Sequence, residues 1–326
     1  MRKPRYLSPS SVATFYKDRE EFYLRYLCET KTPRFPQTQP MSVGSSFDAF
    51  CKSWLHDRLF GNYGEDNEFE FQTIFEQQVE PQNRDWALKA GEHCFTVYTE
   101  SGALADLLLD LERASQAPRF EFTVESRVAH ESVVDGIPVL GKPDIYWYTA
   151  GPDGEDVLVI HDWKVNGYCS NYKKSPAKGY LRLRPGNKQH RNCQAGKVHG
   201  IEVNLAERLS SVDTGWADQL IAYSWVVCDD CPFVGAIEQL CCNPPNLGVG
   251  NPDIKVALLR FAIQQKEIQA TKAKFATVWN TIESGHIFTD LSLEESMERC
   301  RQLDERARLQ MEGTSQERWL ADALRG

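Results

Sequence analysis

Residues 141–164 read GKPDIYWYTAGPDGEDVLVIHDWK, and the fold of this 326-residue chain turns on how they pair. Seventeen residues separate Asp144 from the D-x-K triplet Asp162-Trp163-Lys164. The triplet ends the apolar run Val157-Leu158-Val159-Ile160, which is short, mostly β-branched and preceded by the turn signal Gly151-Pro152-Asp153-Gly154, so it reads as a buried strand. Side chains alternate along a strand, so Asp162 and Lys164 share a face. With a second carboxylate from a neighbouring strand, this set would make a magnesium site with a fixed positive charge beside it, chemistry suited to phosphodiester hydrolysis.

Just upstream, Gly136 to Lys142 satisfies the G-x-x-x-x-G-K spacing of a phosphate-binding loop. The next residue is Pro143, where that loop needs a Ser or Thr hydroxyl and the start of a helix. Nucleotide hydrolysis is therefore not expected.

Hydrophobic residues make up 41% of the chain, enough for a sizeable core in one large or two small domains. Met1-Arg2-Lys3-Pro4-Arg5 is not followed by an apolar run of leader type, and no run approaches membrane-spanning length, so a soluble, cytoplasmic protein with no membrane partner is expected. The ten cysteines then argue for reduced thiols rather than a disulfide framework. Only Cys228-x-x-Cys231 with Cys241-Cys242 could form a metal cluster, and the strand-like Phe233-Val234-Gly235-Ala236-Ile237 between them favours buried or turn thiols.

The formal net charge is −9. Between residues 171 and 200, however, lie Lys173, Lys174, Lys178, Arg182, Arg184, Lys188, Arg191 and Lys197 with no acidic residue, leaving 29 basic against 46 acidic residues elsewhere. A segment of +8 on a remainder of −17, opening soon after Lys164, is the electrostatic footprint of a nucleic-acid partner; the alternative is a solvated loop that lacks acids.

The pattern predicts a helix opened by Ser8-Pro9-Ser10-Ser11, a proline-rich connector from Thr32 to Pro40, and a helix from about Val43 to Phe60. Residues 61–84 read as a loop or lid, and Trp86 to Leu111 as helical. Strands are expected at Phe120–His130, Ile137–Tyr148 and Asp156–Lys164, forming a meander. A helix at Thr214–Val227, strands at Phe233–Leu240 and Ile254–Phe261, and a helix from Gln264 to Ser284 follow. A charged helical tail runs from Ser292 to Leu324, and no internal repeat is found.

These residues resemble the RecB-like branch of the PD-(D/E)XK nuclease superfamily over most of the first 285 positions. LSPSSVATFYKDREEFYLRYL is similar to its opening helix, VGSSFDAFCKSWL to its G-x-x-x-H helix, LGKPDIYW to its G-x-x-D strand, VIHDWKV to its D-x-K strand and WADQLIAYSWVV to its Q-x-x-x-Y helix. The resemblance implies an α/β fold, a mixed central sheet flanked by helices, over residues 1–285. It would carry a basic insertion at about 166–212 and a helical extension at 286–326. It implies that Asp144 and Asp162 hold Mg²⁺ or Mn²⁺, that Lys164 orients or helps deprotonate the attacking water, and that Gln219 and Tyr223, four apart on one helix face, stand beside them. Glu125 falls on the preceding strand, where the branch often has an acid near the metal.

Two departures accompany the likeness. Asp48 stands where many relatives have histidine, so it is either a third oxygen ligand or half of a surface i,i+4 pair with Lys52. The cysteines that hold an iron–sulfur cluster in some relatives have no counterpart, Tyr16-Lys17-Asp18-Arg19 occupying the first position, which argues against a cluster. The implied activity is a metal-dependent deoxyribonuclease, an exonuclease of DNA repair, recombination or phage DNA processing, with a helicase or recombination protein as partner. An endonuclease competes within the same chemistry, and a catalytically silent nucleic-acid-binding subunit from another class.

Neutralising Lys173, Lys174, Arg182 and Arg184 together should weaken DNA binding and flatten its salt dependence, since each phosphate contact adds about 0.9 to the log–log slope on duplex DNA. An unchanged slope in a salt titration would leave this segment without a role in DNA contact.

Overall fold

The computed structural model describes residues 1–30, 36–61, 68–120, 130–134, 136–169, 196–204, 208–242, 244–245 and 255–312. The first half is helical: α1 (Pro9–Lys17), α2 (Arg19–Phe22), α3 (Gln39–Phe60), α4 (Phe71–Gln78), α5 (Arg84–Glu100) and α6 (Ala103–Glu112). Strands follow as β1 (Arg119–Phe120), β2 (His130–Val134), β3 (Ile137–Gly141), β4 (Ile145–Ala150), β5 (Asp156–Asn166), β6 (Gly196–Val198) and β7 (Ile201–Val203). After these come α7 (Leu209–Val212), α8 (Thr214–Cys228), β8 (Phe233–Cys241), β9 (Lys255–Ala262), α9 (Gln265–Ser284) and α10 (Leu293–Glu312). No described helix is long and apolar enough to cross a membrane.

The chain forms two compact units, one of Met1–Phe35, Glu131–Leu140 and Ile268–Gly326, the other of Pro36–His130 and Gly141–Glu267. In the first, Ser8 and Ser11 form a capping box and Pro9 opens α1. Leu7 bridges to Val139. Glu20 of α2 meets Arg299 and Arg306 of α10, and Tyr23 Oη donates to Asp304 at 2.8 Å, so the charged tail helix is tied back to the opening helices.

The second unit is mixed α/β, built on a five-stranded sheet of order β1-β4-β5-β8-β9. β5 and β8 run parallel, and every other neighbour is antiparallel. The central strand β5 alternates its contacts. Val159 and Trp163 pack with Ile145, Trp147 and Leu258 under α3, α5 and α6, while Leu158 and Ile160 pack with Leu220 and Tyr223 of α8. α3 faces the sheet because Val43, Phe47, Cys51 and Leu55 recur every four residues and all are buried. Fully burying a side chain such as Phe47 stabilises the unit by about 1.5–3 kcal/mol.

Several expectations need correction. The strand expected from Ile137 to Tyr148 breaks at Lys142–Asp144, because Pro143 has no N–H to donate to a ladder. The expected meander holds where it is described, β1, β4 and β5 lying side by side as antiparallel neighbours, but the segment expected as one strand serves two sheets, since β3 pairs with β2 in a two-stranded sheet of its own. Residues 61–84 are not all loop, since Ile74 and Phe75 bury one face of α4. The helix expected over Trp86–Leu111 is two, divided at Gly102, whose φ of +83° lies in the left-handed region that glycine adopts without strain. Of the strand expected at Phe120–His130, residues 121–129 lie outside the described residues.

Gly141 is fixed by a close approach. A β-carbon there would fall inside the Val226 side chain and 3.1 Å from the Tyr223 ring, both on α8. Gly141→Ala should therefore destabilise the protein by about 1–3 kcal/mol. Adding Val226→Ala should recover part of that loss in urea denaturation, and an unshifted midpoint for Gly141→Ala would mean that α8 does not sit so close.

Candidate active site

The strand alternation places Asp162 and Lys164 of β5 on the α8 face, as the triplet predicts. Lys164 Nζ pairs with Asp162 Oδ2 and donates to Gln219 Oε1 at 3.2 Å. Gln219 Nε2 donates to Asp162 Oδ1 at 3.1 Å and to Tyr223 Oη at 2.7 Å. The helical spacing of four puts both α8 side chains on one face, Gln219 against the triplet and Tyr223 against Gln219. Asp213 caps α8, its Oδ1 accepting from Trp216 N at 3.0 Å, and Trp216 turns its ring toward Lys164, 5.9 Å from the ammonium.

Asp144 sits in the bend before β4, half-buried, and its Oδ2 accepts from the backbone N–H of Trp163 at 3.0 Å. The carboxylate is thereby tied to the middle of the D-x-K triplet. Burial pushes the Asp162 carboxyl up to about 6, Lys164 opposing and Asp144 adding to the rise. Burial pulls the Lys164 ammonium down, but Asp162 and Asp144 outweigh it and the net shift is upward.

Asp48 on α3 does pair with Lys52, Nζ to Oδ2 at 2.9 Å, yet this is not the surface pair that i,i+4 spacing suggests. The Lys52 side chain is 3% exposed and that of Asp48 15%. Gln78 of α4 donates to the same Oδ2 at 2.9 Å. Burial raises the Asp48 carboxyl to about 6, with Lys52 opposing and Asp144 adding to the shift. Asp144 therefore acts on both buried aspartates, and the three carboxylates belong to one electrostatic site.

Among the described residues no group of three or more His, Cys, Asp or Glu side chains is arranged to hold a metal ion. The donor chemistry nevertheless fits a hard divalent cation. Asp48 Oδ1 and Asp162 Oδ2 are buried without a hydrogen-bond partner, although Asp162 Oδ2 touches the Lys164 ammonium. Glu125 and the basic residues Lys173, Lys174, Lys178, Arg182, Arg184, Lys188 and Arg191 lie outside the described residues.

The cysteine reading is corrected in part. Cys228 and Cys231, at the end of α8 and in the turn before β8, are joined as a disulfide, their Cα atoms 5.5 Å apart across a separation of three. Cys241 and Cys242 are buried free thiols, and Cys242 hydrogen-bonds with Cys94 of α5.

Four residues that sequence reasoning missed support the site. Gln78 holds Asp48, and beneath the triplet on the opposite face lie His161, Glu238 and Tyr98. His161 Nε2 is 3.3 Å from Glu238 Oε2, Tyr98 Oη donates to Glu238, and Trp163 Nε1 donates to Tyr98 at 3.3 Å. The legible signal was Glu238 itself, a lone carboxylate inside the apolar run FVGAIEQL.

The pH dependence follows from the two raised carboxyls. Their ordinary value is 3.8, so the folded protein binds these protons more tightly than the unfolded chain does. The associated stability is fully present below about 3.8 and lost as pH rises through about 6. Arginine-paired Glu20, held below its usual range despite the opposing effect of burial, acts in the opposite sense, so the comparison must be with a variant. In EDTA, the stability of the wild type relative to Asp162→Asn should fall between pH 4 and 6.5, measured by urea denaturation. A constant difference would show that Asp162 titrates normally.

Among known proteins, no family model matches the chain, and no curated relative matches it.

Proposed function

We propose that the chain is a divalent-metal-dependent deoxyribonuclease with the PD-(D/E)XK fold of the RecB-like branch, acting as an exonuclease on DNA in repair, recombination or phage DNA processing. The observation that carries this reading is the interlocked set Asp162, Lys164 and Gln219, with Asp144 tied to the backbone between the two charges. A sheet with one parallel pair at its centre, helices on both faces and the triplet on the central strand supports the same reading.

Asp144 and Asp162, joined by Asp48, would hold Mg²⁺ or Mn²⁺. When bound, the ion supplies positive charge to the phosphate oxygens and makes water a stronger nucleophile. Hydrolysis forms a bond from water oxygen to phosphorus and breaks the bond to one sugar oxygen, with a proton passing from the water to the leaving oxygen. Lys164 would serve as a positive charge beside Asp162 and Asp144, which favour its charged form against the pull of burial. Its ammonium orients the water and offsets charge on the pentacoordinate phosphate. Gln219 is a positioning residue: its oxygen accepts from Lys164 and its amide donates to Asp162 Oδ1, which fixes the orientation of the ion pair. Tyr223 orients Gln219 in turn. The basic residues between 171 and 200 would supply phosphate contacts, and a helicase or recombination protein would be the partner that unwinds DNA.

Asp162→Ala and Lys164→Ala should each slow cleavage by at least about 10²–10³-fold with circular dichroism unchanged. Linear and covalently closed circular DNA, single- and double-stranded, with Mg²⁺, Mn²⁺ or EDTA, test the rest: loss of linear substrates alone is expected. Cleavage of closed circles would reassign the chain as an endonuclease, and full activity in EDTA would falsify the metal-nuclease reading.

A further inference from the structure

Lys52 is buried more deeply than the lysine of the D-x-K triplet: its side chain is 3% exposed against 20% for Lys164. Removing an ammonium from water is costly, and an exposed i,i+4 pair would have satisfied Asp48 without that cost. The way Asp48 is shared shows what Lys52 does there. Lys52 Nζ and Gln78 Nε2 both lie on Oδ2, each at 2.9 Å, and leave Oδ1 buried with no hydrogen-bond partner. One oxygen is committed to the protein and the other is kept for something else.

Charge balance then limits what that can be. Among the described residues, Asp48, Asp144 and Asp162 bring three negative charges when ionised, and Lys52 and Lys164 bring two positive ones, a balance of one net negative charge. One divalent ion turns this into a single positive charge, which matches the one negative charge of a phosphodiester. A second ion would raise this to three positive charges and leave two uncompensated by the phosphodiester, in a site where like charges repel strongly.

We infer that Lys52 is a built-in cation that takes the place of a second divalent ion, so that the site binds one ion and not two. The inference rests on the metal-nuclease reading and deepens it. Lys52 neutralises Asp48 permanently and positions it with Oδ1 turned away from the ammonium. Removing the charge while keeping the fold opens room for a second ion.

The test counts ions rather than turnover. Metal-free full-length protein is titrated with Mn²⁺ alone, and bound ions are counted by calorimetry and by the loss of the free-ion electron paramagnetic resonance signal. The wild type and Lys52→Arg should bind one ion per chain, and Lys52→Gln should bind two, with folding checked by circular dichroism. Should Lys52→Gln fail to fold, Lys52→Met, which keeps the aliphatic stem, is counted in its place. Two ions on the wild type, or one on the folded neutral variant, overturn the role of Lys52 and leave the nuclease reading standing. No ion on the wild type overturns the nuclease reading, and the role of Lys52 with it.

Discussion

Placing the Asp162 carboxylate at 2% exposure on the central strand of a sheet removes a charge from water, and much of the second unit is arranged to offset that cost. Lys164 lies on the same face two residues on, and Gln219 donates to the carboxylate while accepting from the ammonium. That arrangement requires α8 to sit tight against the sheet, which in turn requires Gly141 where Val226 approaches. A single buried pair thus constrains a strand, a helix and a glycine that are far apart in sequence. The raised carboxyl of Asp162 shows that the offset is incomplete, because burial still outweighs its partners.

Asp48 repeats the arrangement on another helix. A carboxylate largely withdrawn from water is matched by a lysine and by one amide donor, Lys52 and Gln78 here, Lys164 and Gln219 there. Neither aspartate is fully satisfied, and each keeps one oxygen without a hydrogen bond. Buried polar atoms are normally paired, so Asp48 Oδ1, which has no hydrogen-bond partner, and Asp162 Oδ2, which meets only the Lys164 ammonium, are the exceptions that the proposed cation would satisfy.

What the sequence made legible are the features governed by a local period. The shared face of Asp162 and Lys164 follows from the two-residue repeat of a strand, that of Gln219 and Tyr223 from the four-residue spacing of a helix, and the buried run 157–160 from composition, while the place of Gln219 and Tyr223 beside the triplet was implied by the resemblance alone. Features set by contacts between distant segments were not legible. The i,i+4 spacing of Asp48 and Lys52 is the same whether the pair faces water or the interior, and only the packing of α3 against α4 and α5 decides. Gln78 lies in a polar stretch that read as loop because its apolar face is short, Ile74 and Phe75 buried with Phe71 half-buried beside them. The break at Pro143 was written in the sequence, and missing it made one strand of two. The disulfide was misread because cysteine usage was argued from compartment rather than from the three-residue spacing that brings Cys228 and Cys231 together.

The buried polar network on the far side of β5 is explained by register. β5 and β8 pair in parallel, from Leu158 with Phe233 to Asn166 with Cys241, and a parallel pair has no hairpin turn to fix its alignment. Side chains must fix it instead. A slip of one residue in β5 would carry Asp162 and Lys164 into the apolar cluster of Phe47, Val159 and Leu258. Glu238 guards against this, because in this register the Tyr98 hydroxyl donates to it and His161 Nε2 lies 3.3 Å away, while Tyr98 also accepts from Trp163. Any other alignment strands a carboxylate in the core. The residues on either side of Asp162, His161 and Trp163, are thus the ones that hold it to the α8 face, and the apolar side of the strand specifies the geometry of the polar side.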